Sequence, residues 1–412
     1  MRVLFLDSYF KPEKTSGAHI AESLRQGLAE KGHTMQVYAP TPTRGVSDEV
    51  RREYKKTRKK ETELNGALDI HRFSLFREGK NSLGRAFRYG ILELQLLWFG
   101  MGAKHIDLIP MGSTPPINGL IVTVIKKLRK IPYVYTVQDL FPESLVSAGM
   151  TKKGSLLWKI GNWVSNVTYR NASHIVVISE SLKKALVEKG VPEEKISVIY
   201  NWIDTEQTKP VAREENPLFE EFSLDRDCFY VTYAGNLGNS QNVSLLVDCA
   251  EKLKDKEDIR FVIFGDGSEK EALQERIAQS ALSNICLFPM QPAEKVSQVY
   301  SLGDVSFVIC KKGVGGGAFP SKAASIMATG TPVIASFDTD SDLCRMIVKE
   351  NVGLSVEAED ADAAVAAILQ MYENRAECGT LGENARKLVC KKFSKDKGVA
   401  AKVAVFEKYA KK

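Results

Sequence analysis

Residues 2–38, RVLFLDSYFKPEKTSGAHIAESLRQGLAEKGHTMQVY, contain the repeating unit that decides the fold of this chain. The segment opens with Arg2–Leu6, an apolar stretch of the length and composition of a buried β-strand. In Gly17–Glu30 the apolar residues recur every three or four positions, as on one face of a helix. Thr34–Tyr38 is again strand-like. A strand, a turn, an amphipathic helix and a second strand form a βαβ unit, whose strands run parallel.

The same alternation continues along the chain and predicts an α/β fold, with parallel sheets covered by helices on both faces. The predicted strands of the first half are Ile106–Pro110, Tyr133–Val137, His174–Ile178 and Ile196–Tyr200, and those of the second half are Tyr230–Tyr233, Arg260–Phe264, Ile285–Phe288, Val305–Ile309, Pro332–Ala335 and Val352–Val356.

A break between the two series predicts two domains. Asp204–Asp227 is polar and acidic, with Pro210 and Pro217 and little periodicity, which is typical of an interdomain linker. A chain of 412 residues also exceeds the usual size of one domain. We therefore predict two Rossmann-like, doubly wound domains over residues 1–203 and 204–396, with ligands bound at the carboxyl ends of their strands in a cleft.

The composition excludes several classes of protein. The net charge is +6, from 57 Lys+Arg and 51 Asp+Glu, which is too mild for a nucleic-acid binder but compatible with an anionic partner. The seven cysteines all lie in the second half and the five histidines in the first, so we expect free, buried thiols and no metal site. The strand-like start predicts no secretory signal, and the longest apolar run, 91–101, is too short to span a bilayer. A cytoplasmic protein is expected.

Three segments leave open whether the protein contacts a membrane surface. Thr41–Leu64 contains a run of basic residues, typical either of a solvated, mobile loop or of a basic arm over an anionic membrane. Leu83–Met101 and Leu156–Tyr169 mix aromatic and basic residues. They fit either helices lying in the bilayer interface or core helices of the first domain.

Two glycine-rich turns are candidate phosphate sites. Gly265-Asp266-Gly267 lies between a strand and a predicted helix, although any tight turn can use such residues. The loop from Lys311 to Lys322 contains Gly313, Gly315, Gly316 and Gly317, which suit a backbone nest around an anion; a merely flexible loop is the alternative. Ser321 is predicted to cap the following helix. Lys322 would lie in its first turn, where a cation is unfavourable unless an anion is bound.

Polar residues at two turns of the first half are further candidates. Gly17 follows the first strand and is expected to bring its amide to a diphosphate. Gln138, Asp139 and Glu143 follow the strand Tyr133–Val137, and Asp139 could instead only cap a turn.

Together these pieces resemble glycosyltransferase family 4, over about residues 1 to 395. The resemblance is carried by Lys31-Gly32-His33-Thr34, Ser113-Thr114-Pro115-Pro116, Val177-Ile178-Ser179-Glu180, Ile199-Tyr200-Asn201-Trp202-Ile203-Asp204, Phe264-Gly265-Asp266-Gly267 and Met327-Ala328-Thr329-Gly330-Thr331-Pro332-Val333. Gln138–Ser144, Ala234-Gly235-Asn236-Leu237-Gly238 and Phe319-Pro320-Ser321-Lys322 are similar to a narrower branch, the O-antigen and capsule transferases of the N-acetyl-fucosaminyl type.

The resemblance implies a GT-B fold, in which a helix over about 397–412 packs back on the first domain, and transfer with retention of anomeric configuration. It further implies a UDP-sugar donor, an undecaprenyl-diphosphate-linked acceptor at the inner face of the cytoplasmic membrane, and no metal or other cofactor. Lys322, Gln138 and Asp139 would be catalytic, and Glu143 and Asn201 would contact the sugar or acceptor. The donor would contact Gly17, Asn236, Gln241, Gly265, Asp266, Gly267, Met290, Gly316, Gly317, Phe319, Pro320, Ser321 and Ser325.

The chain departs from the family pattern at several of these positions. Gly317 and Ser325 stand where many members have two glutamates, the second of which holds the ribose. Gln138 replaces a histidine, and Asn236 and Gln241 replace the arginine and lysine that grip the diphosphate. Lys322 is then the main remaining cation. It would stabilise the charge that develops on the leaving diphosphate, the main task of such a reaction.

Two other functions remain open from the sequence. A UDP-sugar 2-epimerase would share the fold, but it would need a histidine in the cleft, and the second half has none. A degenerate transferase that only binds or scaffolds is the second alternative, favoured by the missing glutamates and cations.

Overall fold

A computed structural model describes residues 1–13, 15, 17–77, 82–147, 149–315 and 319–411 of the chain. It divides the chain into two compact units: unit 1 comprises residues 1–199 and 398–412, and unit 2 comprises residues 200–397. The first unit thus ends at residue 199, whereas the sequence analysis predicted that the first domain ends at residue 203.

The elements alternate along the chain as the apolar periodicity indicates. The strands of the described residues are β1 (Arg2–Leu6), β2 (Thr34–Pro40), β3 (Lys60–Glu63), β4 (Leu68–Phe73), β5 (Ile109–Gly112), β6 (Tyr133–Val137), β7 (His174–Val177), β8 (Ile196–Val198), β9 (Phe229–Asn236), β10 (Ile259–Asp266), β11 (Ile285–Pro289), β12 (Val305–Ile309), β13 (Val333–Phe337) and β14 (Gly353–Glu357). The helices are α1 (Ala18–Glu30), α2 (Asp48–Lys56), α3 (Ser82–Gly102), α4 (Asn118–Arg129), α5 (Glu143–Ser147), α6 (Leu156–Asn171), α7 (Glu180–Glu188), α8 (Leu218–Glu221), α9 (Ser244–Lys252), α10 (Lys270–Gln279), α11 (Val296–Ser301), α12 (Ser321–Ala328), α13 (Asp342–Glu350), α14 (Ala361–Glu373), α15 (Arg375–Lys392) and α16 (Lys395–Tyr409).

Unit 1 contains two four-stranded sheets, in the orders β1-β2-β4-β3 and β5-β6-β7-β8. A parallel bridge between Val3 and Leu108 links them. All the paired strands run parallel except β3, which pairs antiparallel with β4. Residues 398–412, which include most of α16, also belong to this unit. The Val399 side chain of α16 lies against Gly27 of α1.

Unit 2 contains one six-stranded parallel sheet in the order β11-β10-β9-β12-β13-β14. The chain winds outward from β9 to β11 on one side, and then from β12 to β14 on the other. The direction changes between β9 and β12. In doubly wound sheets, ligands bind beside the carboxyl ends of the strands at such a switch point.

The sheet of unit 2 is buried on both faces, and β9 shows how. Tyr230 and Ala234 belong to the apolar core on one face, while Phe229, Val231 and Tyr233 belong to the core on the other. Side chains alternate between faces along a strand, so a strand covered on both sides is apolar throughout.

The basic segment Thr41–Leu64 contains the helix α2 and the strand β3, so it is not a loop throughout, although none of the residues of α2 is buried, as a solvated segment requires. Ser47 caps α2 by accepting a hydrogen bond from Val50, and acidic residues begin this helix while lysines end it. That charge order matches the helix dipole. The cap and the charge order are both visible in the sequence, but they lie within a run of charged residues that is also typical of a loop. Arg58 pairs with Glu53 and Glu61, which neutralises part of the basic charge within the segment.

The segment Asp204–Asp227 is not a linker but part of unit 2. Leu218 and Phe219 are fully buried in its core. Arg386 of α15 donates hydrogen bonds to the carbonyl oxygens of Thr205 and Thr208, at 2.8 and 2.9 Å. Because distant side chains satisfy its backbone, the segment needs no periodicity of its own to be ordered.

Two smaller expectations also changed. The strand predicted at Ile106–Pro110 is Ile109–Gly112, because Leu108 forms the isolated bridge to β1 before the regular pairing begins. The cysteines are free, and five of the seven are buried, but Cys286 is exposed on the edge strand β11 and Cys390 is partly exposed.

Candidate functional site

The carboxyl ends of β9 and β10 bring several predicted residues of unit 2 together. Gly235 and Asn236 end β9, and in the parallel register they pair with Gly265 and Asp266 at the end of β10. The loop after β12, the strand on the other side of β9, leads into α12 and Lys322. The residues lie at the switch point of the sheet, where a doubly wound domain binds its ligand.

Lys322 lies with its ammonium nitrogen over the aromatic ring of Tyr233, 3.7 Å from the ring centroid. The same nitrogen would be 2.7 Å from a β-carbon added to Gly235. Gly235 also has a φ of +147°, which side chains rarely adopt. Glycine is therefore required here both by the backbone and by the space that Lys322 occupies.

The surroundings of Lys322 disfavour its charge. Burial lowers its pKa to about 7. None of the described residues forms a salt bridge with this ammonium or accepts a hydrogen bond from it. A cation in the first turn of a helix is also opposed by the helix dipole. A bound anion would reverse these effects, so the site favours a phosphate group near Lys322.

Asn236 and Gln241 face each other beside this position. The Asn236 amide nitrogen donates to Oε1 of Gln241 at 3.1 Å, and both side chains border Gly238, where a β-carbon would be within 3 Å of each. The Tyr233 hydroxyl donates to the Asn236 carbonyl oxygen at 2.7 Å. Tyr233 thus supports both Lys322 and the turn that carries the amide pair.

The Gly265-Asp266-Gly267 turn has a structural reason for its glycines. A β-carbon at Gly265 would lie 2.6 Å from the Gly235 carbonyl oxygen, and one at Gly267 would lie 2.5 Å from that of Leu237. The amides expected to meet phosphate are engaged: that of Gly267 donates to the Asp266 carboxylate, and that of Glu269 donates to the Leu237 carbonyl oxygen. The two glycines therefore allow this turn to pack closely against the backbone of Gly235 and Leu237.

The start of α12 differs from the prediction. Its N-cap is Pro320 and makes no side-chain capping hydrogen bond, so Ser321 is the first helical residue rather than the cap. The Phe319 side chain packs into the core against Phe393, with ring centroids 4.9 Å apart. Ser325 lies one turn after Ser321 and is partly exposed. Gly316 and Gly317 lie outside the described residues.

The other lysines of the loop before α12 are already paired. Nζ of Lys311 donates to Oδ1 of Asn239 at 2.5 Å, and that of Lys312 forms a 3.1 Å salt bridge with Glu357. Gly315 packs so closely against Phe337 that a β-carbon would overlap its ring. These contacts hold the described part of the loop to the end of the sheet. Of Lys311, Lys312 and Lys322, only Lys322 has neither a salt bridge nor a hydrogen bond from its ammonium to a described residue.

The remaining predicted residues lie in unit 1 or at other positions of unit 2. Gly17 is the N-cap of α1 in unit 1, with an ordinary φ of −97°. Gln138 follows β6, and its backbone N–H donates to the Ser113 hydroxyl at 3.0 Å. Asp139 is exposed beside it. The carboxylate of Glu143 accepts a 2.5 Å hydrogen bond from Lys189. Asn201 and Met290 belong to unit 2, with Met290 following the edge strand β11.

Tyr233 is a candidate site residue that sequence reasoning missed, and Gly235 was noted only as part of a motif. A signal for them exists, because residues two apart on a strand point to the same face. On that face, the ring of Tyr233 therefore lies beside the space that Gly235 leaves open because it has no side chain. No pattern in the sequence indicates that Lys322, 87 positions later, fills that opening.

The chain matches two family models. Residues 18–207 match the model described as Glycosyltransferase Family 4, and residues 215–388 match the model described as Glycosyl transferases group 1. Among curated proteins, the putative colanic acid biosynthesis glycosyl transferase WcaI of Escherichia coli K12 is 24% identical, over 90% of this chain and 92% of its own. The probable glycosyltransferase WbjE of Pseudomonas aeruginosa is 24% identical, over 80% and 82%.

Solved structures share the fold over nearly the whole chain. Sucrose-phosphate synthase from Thermosynechococcus elongatus superposes with a TM-score of 0.75 at 16% identity, covering 99% of this chain and 98% of its own. Anabaena HepE, solved in complex with UDP and glucose, gives a TM-score of 0.70 at 16% identity, covering 99% and 100%. At this identity the likeness concerns the fold alone.

Proposed function

Because this chain belongs to glycosyltransferase family 4 and is a glycosyltransferase of the GT-B fold, we propose that it transfers a sugar from a UDP-sugar to a lipid-linked saccharide, with retention of configuration. The sugar is an N-acetyl amino sugar, and the product belongs to a bacterial surface polysaccharide such as an O-antigen or capsule. The acceptor is linked to undecaprenyl diphosphate and reaches the enzyme at the inner face of the cytoplasmic membrane.

The position of Lys322 is the observation that carries the proposal. Its ammonium lies at the switch point of the unit 2 sheet, over Tyr233, with no described counter-ion. When the bond between sugar and diphosphate breaks, negative charge develops on the β-phosphate. A cation in a poorly solvated site stabilises that charge more than water does. Lys322 would hold the diphosphate of the donor and assist its departure.

The choice of UDP is supported by the solved relative HepE, whose structures contain UDP, UDP with glucose, and UDP-glucose. The proposed role in a surface polysaccharide is supported by relatives named for colanic acid and for capsular polysaccharide biosynthesis. The amino sugar and the lipid-linked acceptor rest on the resemblance of Phe319-Pro320-Ser321-Lys322 and its companion motifs to one branch of the family.

Few side chains are needed for the chemistry itself. In a retaining reaction on one face of the sugar, the leaving phosphate can accept the proton of the attacking hydroxyl. No separate base is then required, and paired carboxylates of the glycosidase kind are not expected. Asn236 and Gln241 would bind the diphosphate through their amides. Asp139 and Glu143 would orient hydroxyl groups of the sugar or acceptor.

The experiment that tests the proposal is the shift in thermal unfolding caused by UDP, GDP, ADP and a panel of UDP-sugars. A ligand at a hundred times its dissociation constant adds about 2.7 kcal/mol of stability. We expect a shift with UDP, a larger one with a single UDP-amino-sugar, and loss of both in Lys322→Ala. Transfer from that UDP-sugar to a lipid-linked saccharide, followed by mass spectrometry, then tests turnover.

The outcomes separate the candidate functions. A shift with GDP or ADP instead of UDP would show that the nucleotide is wrong. If none of the nucleotides changes the unfolding temperature, the chain lacks a donor site and the scaffold hypothesis replaces the transferase. Conversion of the UDP-sugar to its 2-epimer without an acceptor would identify an epimerase.

A further inference from the structure

We propose that α3, α4 and α6 of unit 1 together form a face that docks onto the surface of an anionic lipid bilayer. The inference rests on the proposed function in one respect, since a lipid-linked acceptor requires an enzyme that reaches a bilayer. Its evidence lies in the outer surface of three helices and is separate from the donor site. We call these three helices the docking face.

The helices of the docking face are neighbours, with α4 in the middle. Gly119 of α4 lies so close to Thr168 of α6 that a β-carbon would overlap that side chain. On the other side, the Arg129 guanidinium of α4 donates to the carbonyl oxygen of Gly100 in α3, at 3.2 Å. Lys126 donates to the last carbonyl oxygen of α6, that of Asn171, at 2.7 Å. The solvent-facing sides of the three helices thus adjoin one another on one surface of unit 1.

Large apolar side chains cover these outward stripes. Trp98 of α3 is 78% exposed and Leu156 of α6 is 74% exposed. Single exposed apolar residues are ordinary, but contiguous ones mark an interaction surface. Ten of the sixteen exposed large apolar side chains among the described residues lie on these helices or at the start of α4: Phe87, Leu94, Trp98, Ile117, Val124, Leu128, Leu156, Leu157, Ile160 and Trp163.

The spacing of these residues shows that the exposure is organised. Leu94 and Trp98 are four residues apart, as are Val124 and Leu128. Positions four apart lie above one another on a helix. Each helix therefore has one apolar stripe toward the core of unit 1 and a second stripe toward solvent. A helix that packs only within a globular domain needs just the first stripe.

The charge on the docking face has one sign. The helices contain seven basic residues and a single acidic one, Glu93, which is buried. The exposed cations on or beside the helices form no salt bridge with any described residue: Arg85, Lys104, Lys127, Lys130, Lys152, Lys153 and Lys159. Apolar side chains with unpaired cations around them complement a bilayer surface with anionic headgroups.

The same charges argue against a second copy of the chain as the occupant. A two-fold symmetric contact would bring the cations of one copy against those of the other, which is unfavourable. None of the described helices is both long and apolar enough to cross a bilayer. Trp98 and Trp163 suit the bilayer interface, where tryptophan rings are favoured.

Co-sedimentation of the full chain with vesicles tests the proposal. We expect the chain to bind vesicles of phosphatidylethanolamine and phosphatidylglycerol, to bind phosphatidylcholine vesicles far less, and to dissociate as salt is added. Leu94→Glu should reduce the partition coefficient about tenfold. Lys127→Gln and Lys159→Gln should each reduce it about fivefold on anionic vesicles. Vesicles should also shift the tryptophan emission to shorter wavelength.

Matched controls lie in unit 2. Val348 on α13 has the same exposed fraction as Leu94, 68%, so Val348→Glu should leave binding unchanged. Lys254→Gln and Lys256→Gln, also in unit 2, are the controls for Lys127→Gln and Lys159→Gln, and they should leave vesicle binding unchanged. Circular dichroism and unfolding temperature show whether a variant has folded. Equal losses from Leu94→Glu and Val348→Glu, or no vesicle binding by the wild type, would overturn the proposal. So would a dimer in analytical ultracentrifugation that Leu94→Glu dissociates.

The test is separable from the donor site. If the wild type binds UDP but no vesicles, the docking face is refuted and the proposed transferase stands. If it binds anionic vesicles through this face but no nucleotide, the docking face stands and the proposed donor is refuted.

Discussion

The ammonium nitrogen of Lys322 lies 3.7 Å from the centroid of the Tyr233 ring, on the face of β9 that Gly235 leaves open. The ring stabilises the cation by cation–π attraction, worth about 0.5–2 kcal/mol, which is less than the cost of removing an ammonium from water. The pKa of Lys322 is therefore lowered to about 7. A diphosphate would supply the counter-charge that the described part of the protein does not.

Replacing Lys322 by methionine, which has a similar length but no charge, should reduce kcat/KM for the donor by about 10²–10³, the effect of losing one group that stabilises an oxyanion. Steady-state transfer assays measure it. Lys311→Met is the matched control, because Lys311 lies in the loop that leads into α12 but is held by Asn239. Equal losses in the two variants would contradict a specific role for Lys322.

UDP binding should be accompanied by proton uptake. Well above pH 7 the side chain of Lys322 in the unliganded protein is largely deprotonated, because burial lowers its pKa to about 7. A bound diphosphate favours the charged form and raises that pKa. Calorimetry in buffers of different ionisation enthalpy should show uptake near pH 8.5, up to about one proton per UDP. Lys322→Met should lack this proton uptake. Identical uptake by the wild type and the variant would exclude Lys322 as the group that takes up the proton.

The stability of the unliganded protein should rise with pH in the same window. The pKa of Lys322 is about 7 when folded and 10.5 when unfolded, so between these values the unfolded state binds more protons. Stability then increases as pH rises. Lys322→Met lacks this titration and should be more stable than the wild type at pH 7, on the order of a few kcal/mol, with a smaller gain at pH 9.5. Urea unfolding at the two values tests the sign.

Gly235→Ala should weaken UDP binding by displacing Lys322. The new β-carbon would lie 2.7 Å from the lysine nitrogen, and the φ of +147° would strain any side chain. We expect about a tenfold loss of UDP affinity and a loss of stability on the order of 1–3 kcal/mol. Gly379→Ala in α15 is the control, since nothing in the structure lies within 4 Å of its added β-carbon and its backbone is helical. Unchanged affinity in Gly235→Ala would show that Lys322 can move without cost.

Glu93 in α3 should make the protein less stable as pH rises from 5 to 8. Burial raises its pKa from 4.5 to about 7, so the folded state holds the proton that the unfolded state has already released. The Asn118 amide, with its nitrogen toward Glu93, donates to the carboxylate at 2.8 and 3.0 Å and opposes part of this effect. Glu93→Gln should flatten the pH dependence in urea unfolding. The exposed control Glu22→Gln should not, and a reversed slope in the wild type would contradict the assignment.

The sequence predicted the elements whose signals are local. Tyr133–Val137 and Val305–Ile309 are strands with the predicted bounds, because an apolar run of that length between turns is sufficient to indicate a buried strand. The motifs of the family likewise lie within short segments, and both family models match. The sequence also predicted that Lys322 would lie in the first turn of a helix.

What the sequence by itself determined is therefore the α/β architecture and the family, since both depend on patterns within a few residues. Only the tertiary structure decided that Gly265 and Gly267 are held by a neighbouring loop, that the segment from Asp204 belongs to a core, and that Lys322 meets Tyr233 across 89 positions of chain. Burial, and with it the pKa of a lysine, depends on which distant segments come together. No local pattern of residues contains that information, because it arises only when the sheet has formed and its strand ends meet.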